Sequence, residues 1–450
     1  MLLLLGGLKY FFIDRYYFHI DEIFSYLFFV KKGFWVIVSY YPGPNNHILY
    51  SLLVYFLQPF FSDPYYLMKV PTLLLSLVAS TVFFLFLLRY TNFHLALLCT
   101  FLFSCAPRFF YYSLFGRGYV LMTLFVVLSF FMVLKILEGN HKKYPWHMYT
   151  VFSIFGFYSM IIYVYPYISF SMAILAWGIY CKNWKFLKRF FYYNVLVFVS
   201  VLTLYTPLLL ISGLSSLISN PWIIRLPWHE FIQNFPSLIE GIFGYILSLE
   251  QGAFWVGLLL LLSATFILIQ KQQYSWLLLI ASMFVSPLLV LLVQRVQPFD
   301  RVWTYLIFPL SLCLWQVLDF IFSSIRSALL KNIILLSLCA MTIVSAFFYF
   351  YEDTRYGHQI YDEVGRICKY VVKENSGEVF TNEDVYNIYL RYEASRAGRT
   401  LVPEMSMETA DKQFSYVLLT PYSSFPVSLD RKRYMLKEQN EYIRVYKIKE

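Results

Sequence analysis

The chain has 450 residues, of which 59% are hydrophobic and 21% aromatic, whereas only 14% are charged. A soluble globular protein carries about 25% charged residues, so this composition excludes that class and predicts a polytopic membrane protein. The formal net charge of +10 does not indicate nucleic-acid binding, because the basic residues flank apolar runs instead of forming one patch. We interpret them as topology signals and as contacts for lipid phosphates.

Apolar runs in residues 1–351 predict the membrane-spanning helices. A spanning helix needs about 20 residues. About ten runs approach that length, at 65–89, 93–112, 118–137, 148–164, 166–181, 190–211, 253–270, 274–293, 302–322 and 332–351. The apolar start, residues 1–8, is shorter, and we interpret it as the end of a first span, which gives about eleven spans.

The loop between the first two predicted spans, roughly residues 14–64, is unusually long. It contains two apolar segments, 23–30 and 48–61, that are too short to span. They predict helices lying in the membrane interface. The short loops divide their Lys and Arg residues almost evenly, but the basic cluster at 182–189 is typical of an inner loop. We therefore expect the loop at 14–64 on the outer side.

Residues 352–450 differ from the rest of the chain because their acidic and basic residues nearly balance. They predict a soluble outer domain, with 1–351 as the transmembrane domain. Helices are expected near 357–374 and 383–396, and strands near 378–381, 399–403, 414–420, 433–437 and 441–448. The predicted fold class is an all-α polytopic membrane protein with a small C-terminal α/β domain.

A pair of adjacent carboxylates, Asp21 and Glu22, follows the apolar N-terminus. Ionisable groups cost free energy in or near a membrane, so an adjacent pair of them indicates a functional or structural role. On a helix the two side chains point about 100° apart. One can therefore act as a base, while the other binds the acceptor molecule that the base deprotonates, or caps the helix. The alternative is that Asp21 itself caps an interfacial helix. The segment alone leaves both interpretations open.

Arginines occupy three predicted outer positions. Arg117 lies between two glycines, and Arg295 and Arg301 flank the segment 297–300. The planar fork of arginine suits a phosphate ester better than the point charge of lysine. The alternative for any one of them is snorkelling at a helix end.

Histidines accompany these charges. His47 begins the second embedded segment and is a candidate contact for donor phosphate or acceptor, although a lone histidine is often structural. His19 stands beside the carboxylate pair as a candidate substrate contact. A second long outer loop, 212–252, carries His229 and Glu230 before a helical pattern at 231–249, which is typical of a lid or an interfacial helix.

The six cysteines lie in or beside apolar segments or alone in the tail, and no metal-binding spacing appears. A divalent ion held by His19, Asp21, Glu22 and His47 is conceivable. However, the oxygen-rich cage that magnesium or calcium prefers is not evident from the spacing. We therefore expect no cofactor.

Four motifs together resemble the type C glycosyltransferases, in particular the branch that contains the protein O-mannosyltransferases and the lipid A aminoarabinose transferases. They are Asp21-Glu22 after the first span, Pro44–Tyr50 in the same loop, Arg117-Gly118-Tyr119, and Gln297–Trp303. The chain departs from the family at Ile48, where proline is frequent. The resemblance implies an inverting transfer from a polyprenyl-phosphate sugar, with Asp21 as the base and basic residues on the outer face holding the carrier phosphate.

The expected function is therefore that of a glycosyltransferase of the bacterial inner membrane that acts on its outer face. Asp21, with Glu22 beside it, would deprotonate the hydroxyl of a glycan, lipid or protein acceptor. Positive side chains would stabilise the departing lipid phosphate. The rival hypothesis is a transporter or flippase of lipid-linked sugars. Such a protein is expected to have two related halves, or spans broken by Gly or Pro near the bilayer midplane. The sequence shows no such halves.

Overall fold

The computed structural model describes residues 1–43, 45–139, 143–218, 223–374, 377–405, 413–426 and 429–449. The chain divides into two compact units. The first comprises Met1–Ile13 and Lys32–Phe350, and the second comprises Asp14–Lys31 and Tyr351–Glu450. Pro44, which opens one of the four motifs, lies outside the described residues.

The α-helices follow one another as α1 (Leu2–Ile13), α2 (Ile20–Phe28), α3 (Phe34–Ser39), α4 (Ile48–Leu57), α5 (Pro64–Leu87), α6 (Phe93–Ser104), α7 (Pro107–Ser113), α8 (Tyr119–Leu137), α9 (Tyr144–Ser159), α10 (Val164–Tyr180), α11 (Trp184–Ile211), α12 (Ser215–Ile218), α13 (Trp228–Leu247), α14 (Ala253–Gln270), α15 (Tyr274–Gln294), α16 (Ile307–Ser323), α17 (Ala328–Glu374) and α18 (Asp384–Arg396). Short 3-10 turns lie at Val30–Lys32, Gln58–Phe60, Ile161–Tyr163, Asp300–Leu306 and Arg431–Arg433.

The first unit makes the chain a multi-pass membrane protein. Within the described ranges, eight helices are long and apolar enough to cross a membrane: Pro64–Leu87, Tyr119–Leu137, Ile161–Tyr180, Trp184–Ile211, Ala253–Gln270, Tyr274–Gln294, Asp300–Ser323 and Ala328–Thr354. The polytopic α-helical architecture predicted from the sequence is thus confirmed.

Three of the predicted spans differ from simple crossings. Helix α1 has only 12 residues and α9 only 16. The run at 93–112 forms two helices, α6 and α7, bent by 70° at their junction. The break precedes Pro107. Proline has no backbone N–H, so it cannot donate the hydrogen bond that would continue the first helix. Apolar runs predict where helices occur, but not that a proline splits one of them.

Helix α8 lies at the centre of the first unit. The most apolar 18-residue stretch of α8 is 83% buried. The corresponding stretches of α11 and α17 are only 17% and 22% buried, so most of their side chains lie on the surface. Some polar side chains pair with each other inside the unit; the hydroxyls of Ser129 and Tyr163 lie 2.7 Å apart. Such pairing is favourable where water is absent, because an unpaired polar group is costly there.

The second unit contains a four-stranded sheet of β1 (Val379–Thr381), β2 (Tyr416–Leu419), β3 (Tyr434–Gln439) and β4 (Arg444–Ile448). Its order is β1-β2-β4-β3; β1 pairs parallel with β2, while β4 is antiparallel to both β2 and β3. The predicted α/β domain is confirmed. The predicted strand at 399–403 is absent from the sheet, and the nearest pairing is an isolated bridge between Phe380 and Glu404. The helix predicted near 357–374 is the end of the long helix α17.

The segment Asp14–Lys31 belongs to the second unit, although the sequence boundary at 351 assigned it to the membrane part. Its backbone and rings are bound by residues distant in the sequence: the Tyr389 hydroxyl donates to the Phe18 carbonyl at 2.6 Å, and the Tyr17 and Tyr361 rings stack with centroids 3.7 Å apart. Contacts at such sequence separation leave no local pattern from which a boundary could be read.

Candidate functional site

The carboxylate pair lies in the first turn of helix α2, and His19 is the N-cap of this helix. The backbone N–H of Asp21 donates to His19 Nδ1 at 3.1 Å, and the backbone N–H of His19 donates to Glu22 Oε2 at 3.0 Å. These reciprocal bonds form a capping box. Glu22 is fully buried in this role, whereas Asp21 is half-buried. The capping that the sequence left open for Asp21 is therefore performed by its neighbours.

In the first unit, His47 and Arg117 form a buried cluster. His47 is 4% exposed and Arg117 is 1% exposed. The backbone N–H of Gly118 donates to His47 Nδ1 at 2.8 Å, and Arg117 Nη2 lies 3.0 Å from His47 Nε2. Arg117 Nη2 also donates to Asn45 Oδ1 at 3.0 Å. The loop before α4 and the start of α8 are thus joined through one imidazole.

The imidazole of His47 is kept neutral. Burial lowers its pKa well below the ordinary value, and the positive charges of Arg117 and Arg301 lower the pKa further. Nδ1 accepts the Gly118 N–H, and a protonated ring, which has an N–H on both nitrogens, would lose this bond. His47 therefore orients its neighbours near neutral pH and adds no charge of its own.

Two residues without a charge hold this cluster in shape. A Cβ at Gly118 would lie 3.0 Å from His47 Cβ and 3.1 Å from the Ser159 carbonyl oxygen, so the close approach requires glycine. Asn46 is buried, and its Nδ2 donates to the Ile37 and Tyr40 carbonyls at 2.7 and 3.2 Å. Both residues lie within the sequence motifs, but their residue types alone indicated no role for either.

The other predicted arginines differ from each other. Arg301 lies at the start of the 3-10 turn before α16, with its guanidinium 4.8 Å from the Phe299 ring centroid, and its charge acts on His47. Arg295 ends α15 in a left-handed conformation with φ of 55°, and its carbonyl accepts the Leu226 N–H at 2.9 Å. Of these two arginines, Arg301 is the one whose charge lowers the pKa of His47.

Two further basic residues were counted in the sequence only as loop charges. Lys69 is 1% exposed on α5, and its Nζ donates to the Leu114 carbonyl at 2.9 Å, in the turn that leads to Arg117. Arg108 places its guanidinium 4.6 Å from the Tyr245 ring centroid on α13. The signal that could have identified Lys69 is its position inside an apolar run, where a lysine is rare unless it is paired.

His229 and Glu230 lie in the first turn of α13, which occupies the predicted helical stretch of the second long loop. Their side chains are 80% and 49% exposed, and His229 Nε2 is 3.7 Å from Glu230 Oε1. An exposed pair of this kind contributes little to stability. Its part in binding substrate stays a prediction.

The site residues divide between the two units. His19, Asp21 and Glu22 belong to the second, whereas His47, Arg117, Arg295, Arg301, His229 and Glu230 belong to the first. Among the described residues, no group of three or more His, Cys, Asp or Glu side chains is placed to hold a metal ion.

Known proteins match this chain in structure but not in sequence. No protein-family model matches the sequence, and no curated protein matches it. Solved structures do match. ArnT from Cupriavidus metallidurans in the apo state aligns over 95% of this chain and 92% of its own, with a TM-score of 0.64 and 10% identity.

The same protein bound to undecaprenyl phosphate aligns over 98% of this chain and 96% of its own, again with a TM-score of 0.64 and 10% identity. An oligosaccharyltransferase from Archaeoglobus fulgidus aligns over 89% of this chain and 64% of its own, with a TM-score of 0.51 and 11% identity. ArnT is a lipid A aminoarabinose transferase, and both proteins are type C glycosyltransferases. The chain therefore has the fold of the type C glycosyltransferases, as its motifs predicted.

Proposed function

We propose that the protein is a membrane glycosyltransferase that moves a sugar from a polyprenyl-phosphate donor to an acceptor hydroxyl on the outer face of the bacterial inner membrane. The observation that carries this proposal is the alignment over nearly the whole length of both chains with ArnT bound to undecaprenyl phosphate. Identity to ArnT is only 10%, so the roles of individual residues are proposed from the contacts that they make in this chain.

The donor phosphate is proposed to bind at the His47–Arg117 cluster. Arg117 places a buried guanidinium 3.0 Å from the His47 imidazole, and the planar fork of arginine suits a phosphate ester. In a site shielded from water, such a charge stabilises a departing phosphate more than it would in solution. Arg301 adds a second positive charge in the same electrostatic neighbourhood, and Arg295 is retained as a weaker candidate.

Asp21 is proposed to be the base. It would take the proton of the acceptor hydroxyl while that oxygen attacks the anomeric carbon. The bond from the anomeric carbon to the phosphate oxygen would break, the lipid phosphate would leave with the electron pair, and the anomeric configuration would invert. Glu22 is proposed to act indirectly, because its carboxylate is buried in the cap of the same helix. These steps call for no cofactor, and the acceptor is a glycan, lipid or protein hydroxyl.

The test uses the purified protein in liposomes with a labelled polyprenyl-phosphate sugar and a mixed acceptor extract. The proposal expects a new labelled glycoside and release of polyprenyl phosphate. Movement of intact donor across the bilayer without a new bond would indicate the transporter alternative instead. A boiled sample and the Asp21→Asn variant are the controls.

A further inference from the structure

We propose that the C-terminal unit positions the base: Tyr389, through its hydrogen bond to the Phe18 carbonyl, holds the segment Asp14–Lys31 in the conformation in which Asp21 acts. This inference rests on the proposed function. It gives the C-terminal unit a task in the reaction, and it makes Tyr389 a positioning residue.

The bond between Tyr389 and Phe18 is well suited to this task. Both residues are buried, and the hydroxyl to carbonyl distance is 2.6 Å. Burial raises the pKa of Tyr389, so the hydroxyl keeps the proton that it donates. Phe18 directly precedes His19, the N-cap of α2, so this bond fixes the chain just before the turn that carries Asp21. Removing the hydroxyl takes a hydrogen-bond donor away from this buried carbonyl, so loss of the contact should have a measurable effect.

Further contacts bind the segment along its length. The Tyr16 hydroxyl donates to Asp353 Oδ2 at 3.0 Å, and the stacked rings of Tyr17 and Tyr361 follow one residue later. At the far end, Lys31 Nζ donates to the Ser395 hydroxyl. The contacts therefore lie on both sides of Asp21, with partners on α17 and α18. Contacts on both sides of Asp21 restrict the movement of the backbone that carries it.

Helix α18 supplies a matched control. Tyr386, like Tyr389, is buried, and its hydroxyl donates to a backbone carbonyl, that of Tyr442. Its partner lies at the end of the chain and not in the segment Asp14–Lys31. The change Tyr386→Phe therefore removes a bond of the same kind from the same helix, without touching the base.

The experiment compares Tyr389→Phe with Tyr386→Phe in the full-length protein, each alone and combined with Asp21→Asn. Hydrogen exchange of residues 14–31 and the kinetics of sugar transfer are measured for every variant. Tyr389→Phe should speed exchange in the segment and lower kcat about ten- to hundredfold, because a small misplacement of a reacting group has effects of that size. The donor KM should stay unchanged, and Tyr389→Phe should have no further effect once Asp21 is Asn.

Two results would overturn the inference: an equal loss of kcat in Tyr386→Phe, or normal kcat in Tyr389→Phe. If Tyr389→Phe does not fold, Tyr16→Phe removes another bond to the segment and should give the same pattern. Wild-type activity of Asp21→Asn would instead overturn the proposed function. The exchange data separate the two failures, because they report on the segment without any reference to the chemistry.

Discussion

The guanidinium of Arg117 lies 3.0 Å from the imidazole Nε2 of His47, and both side chains are almost fully buried. The two residues are 70 positions apart in the sequence, and the backbone N–H of Gly118 fixes the same imidazole from its other side. The imidazole of His47 thus lies between the Gly118 backbone and the buried guanidinium of Arg117. The predictions about the first unit follow from that arrangement.

Arg117→Lys should weaken donor binding while the protein stays folded. Lysine keeps the charge but loses the planar fork that can hold His47, Asn45 and a phosphate together. Loss of one hydrogen bond to a charged group costs about 1.5–3 kcal/mol, so the donor KM should rise roughly ten- to hundredfold. The exposed Arg225 supplies the control, since Arg225→Lys should leave the KM unchanged. An unchanged KM in Arg117→Lys would contradict the assigned role.

His47→Ala should destabilise the protein, and His47→Asn should restore part of the loss. Alanine leaves the buried Gly118 N–H without its acceptor, at a cost of about 1–3 kcal/mol. Asparagine offers a side-chain oxygen near the position of Nδ1. Thermal unfolding in detergent measures the difference, and equal Tm values for the two variants would argue against the hydrogen bond.

Gly118→Ala should lower both stability and activity. The added Cβ would press against His47 Cβ at 3.0 Å and the Ser159 carbonyl oxygen at 3.1 Å. Overpacking of this kind costs about 1–3 kcal/mol. Gly241, which has nothing within 4 Å of an added Cβ, is the matched position. Gly241→Ala should leave Tm unchanged or raise it, so a similar decrease at both positions would contradict the prediction.

Stability should fall with acid in a way that depends on His47. Its folded pKa is lowered well below 6.5, so the unfolded chain binds a proton more readily than the folded one. The contribution is fully present above about pH 6.5 and is lost as the pH falls, by at most about 1.4 kcal/mol per pH unit. Tm measured from pH 7.5 to 5 should show a smaller slope in His47→Asn than in the wild type. Equal slopes in His47→Asn and in the wild type would contradict the prediction.

Much of the fold could be predicted because apolar runs and alternating segments in the sequence indicate its helices and strands. The long apolar runs of α5, α8 and α15 begin and end close to the predicted bounds, and the strands Tyr416–Leu419 and Arg444–Ile448 lie within predicted ones. The bend between α6 and α7 could not be read from hydropathy, since it depends on one proline within a continuous apolar run.

The site was predicted as separate residues and not as an arrangement. Arg117 and His47 were singled out by residue type and position, but their pairing depends on the packing of two distant loops. The role of Glu22 in the cap of α2 was within reach, because His19 and Glu22 stand at capping-box spacing. The membership of Asp14–Lys31 in the C-terminal unit was not, because tyrosines far along the chain decide it.

The central claim is that Asp21 is the base of a sugar transfer, and the most direct measurement is the rate of glycoside formation by Asp21→Asn from a labelled polyprenyl-phosphate sugar. The rate should fall about 10²- to 10⁴-fold, the usual contribution of a general base, while Tm and polyprenyl-phosphate binding stay at wild-type values. Asp14→Asn, an exposed carboxylate in the same segment, should transfer sugar normally. Transfer by Asp21→Asn at the wild-type rate would contradict the account.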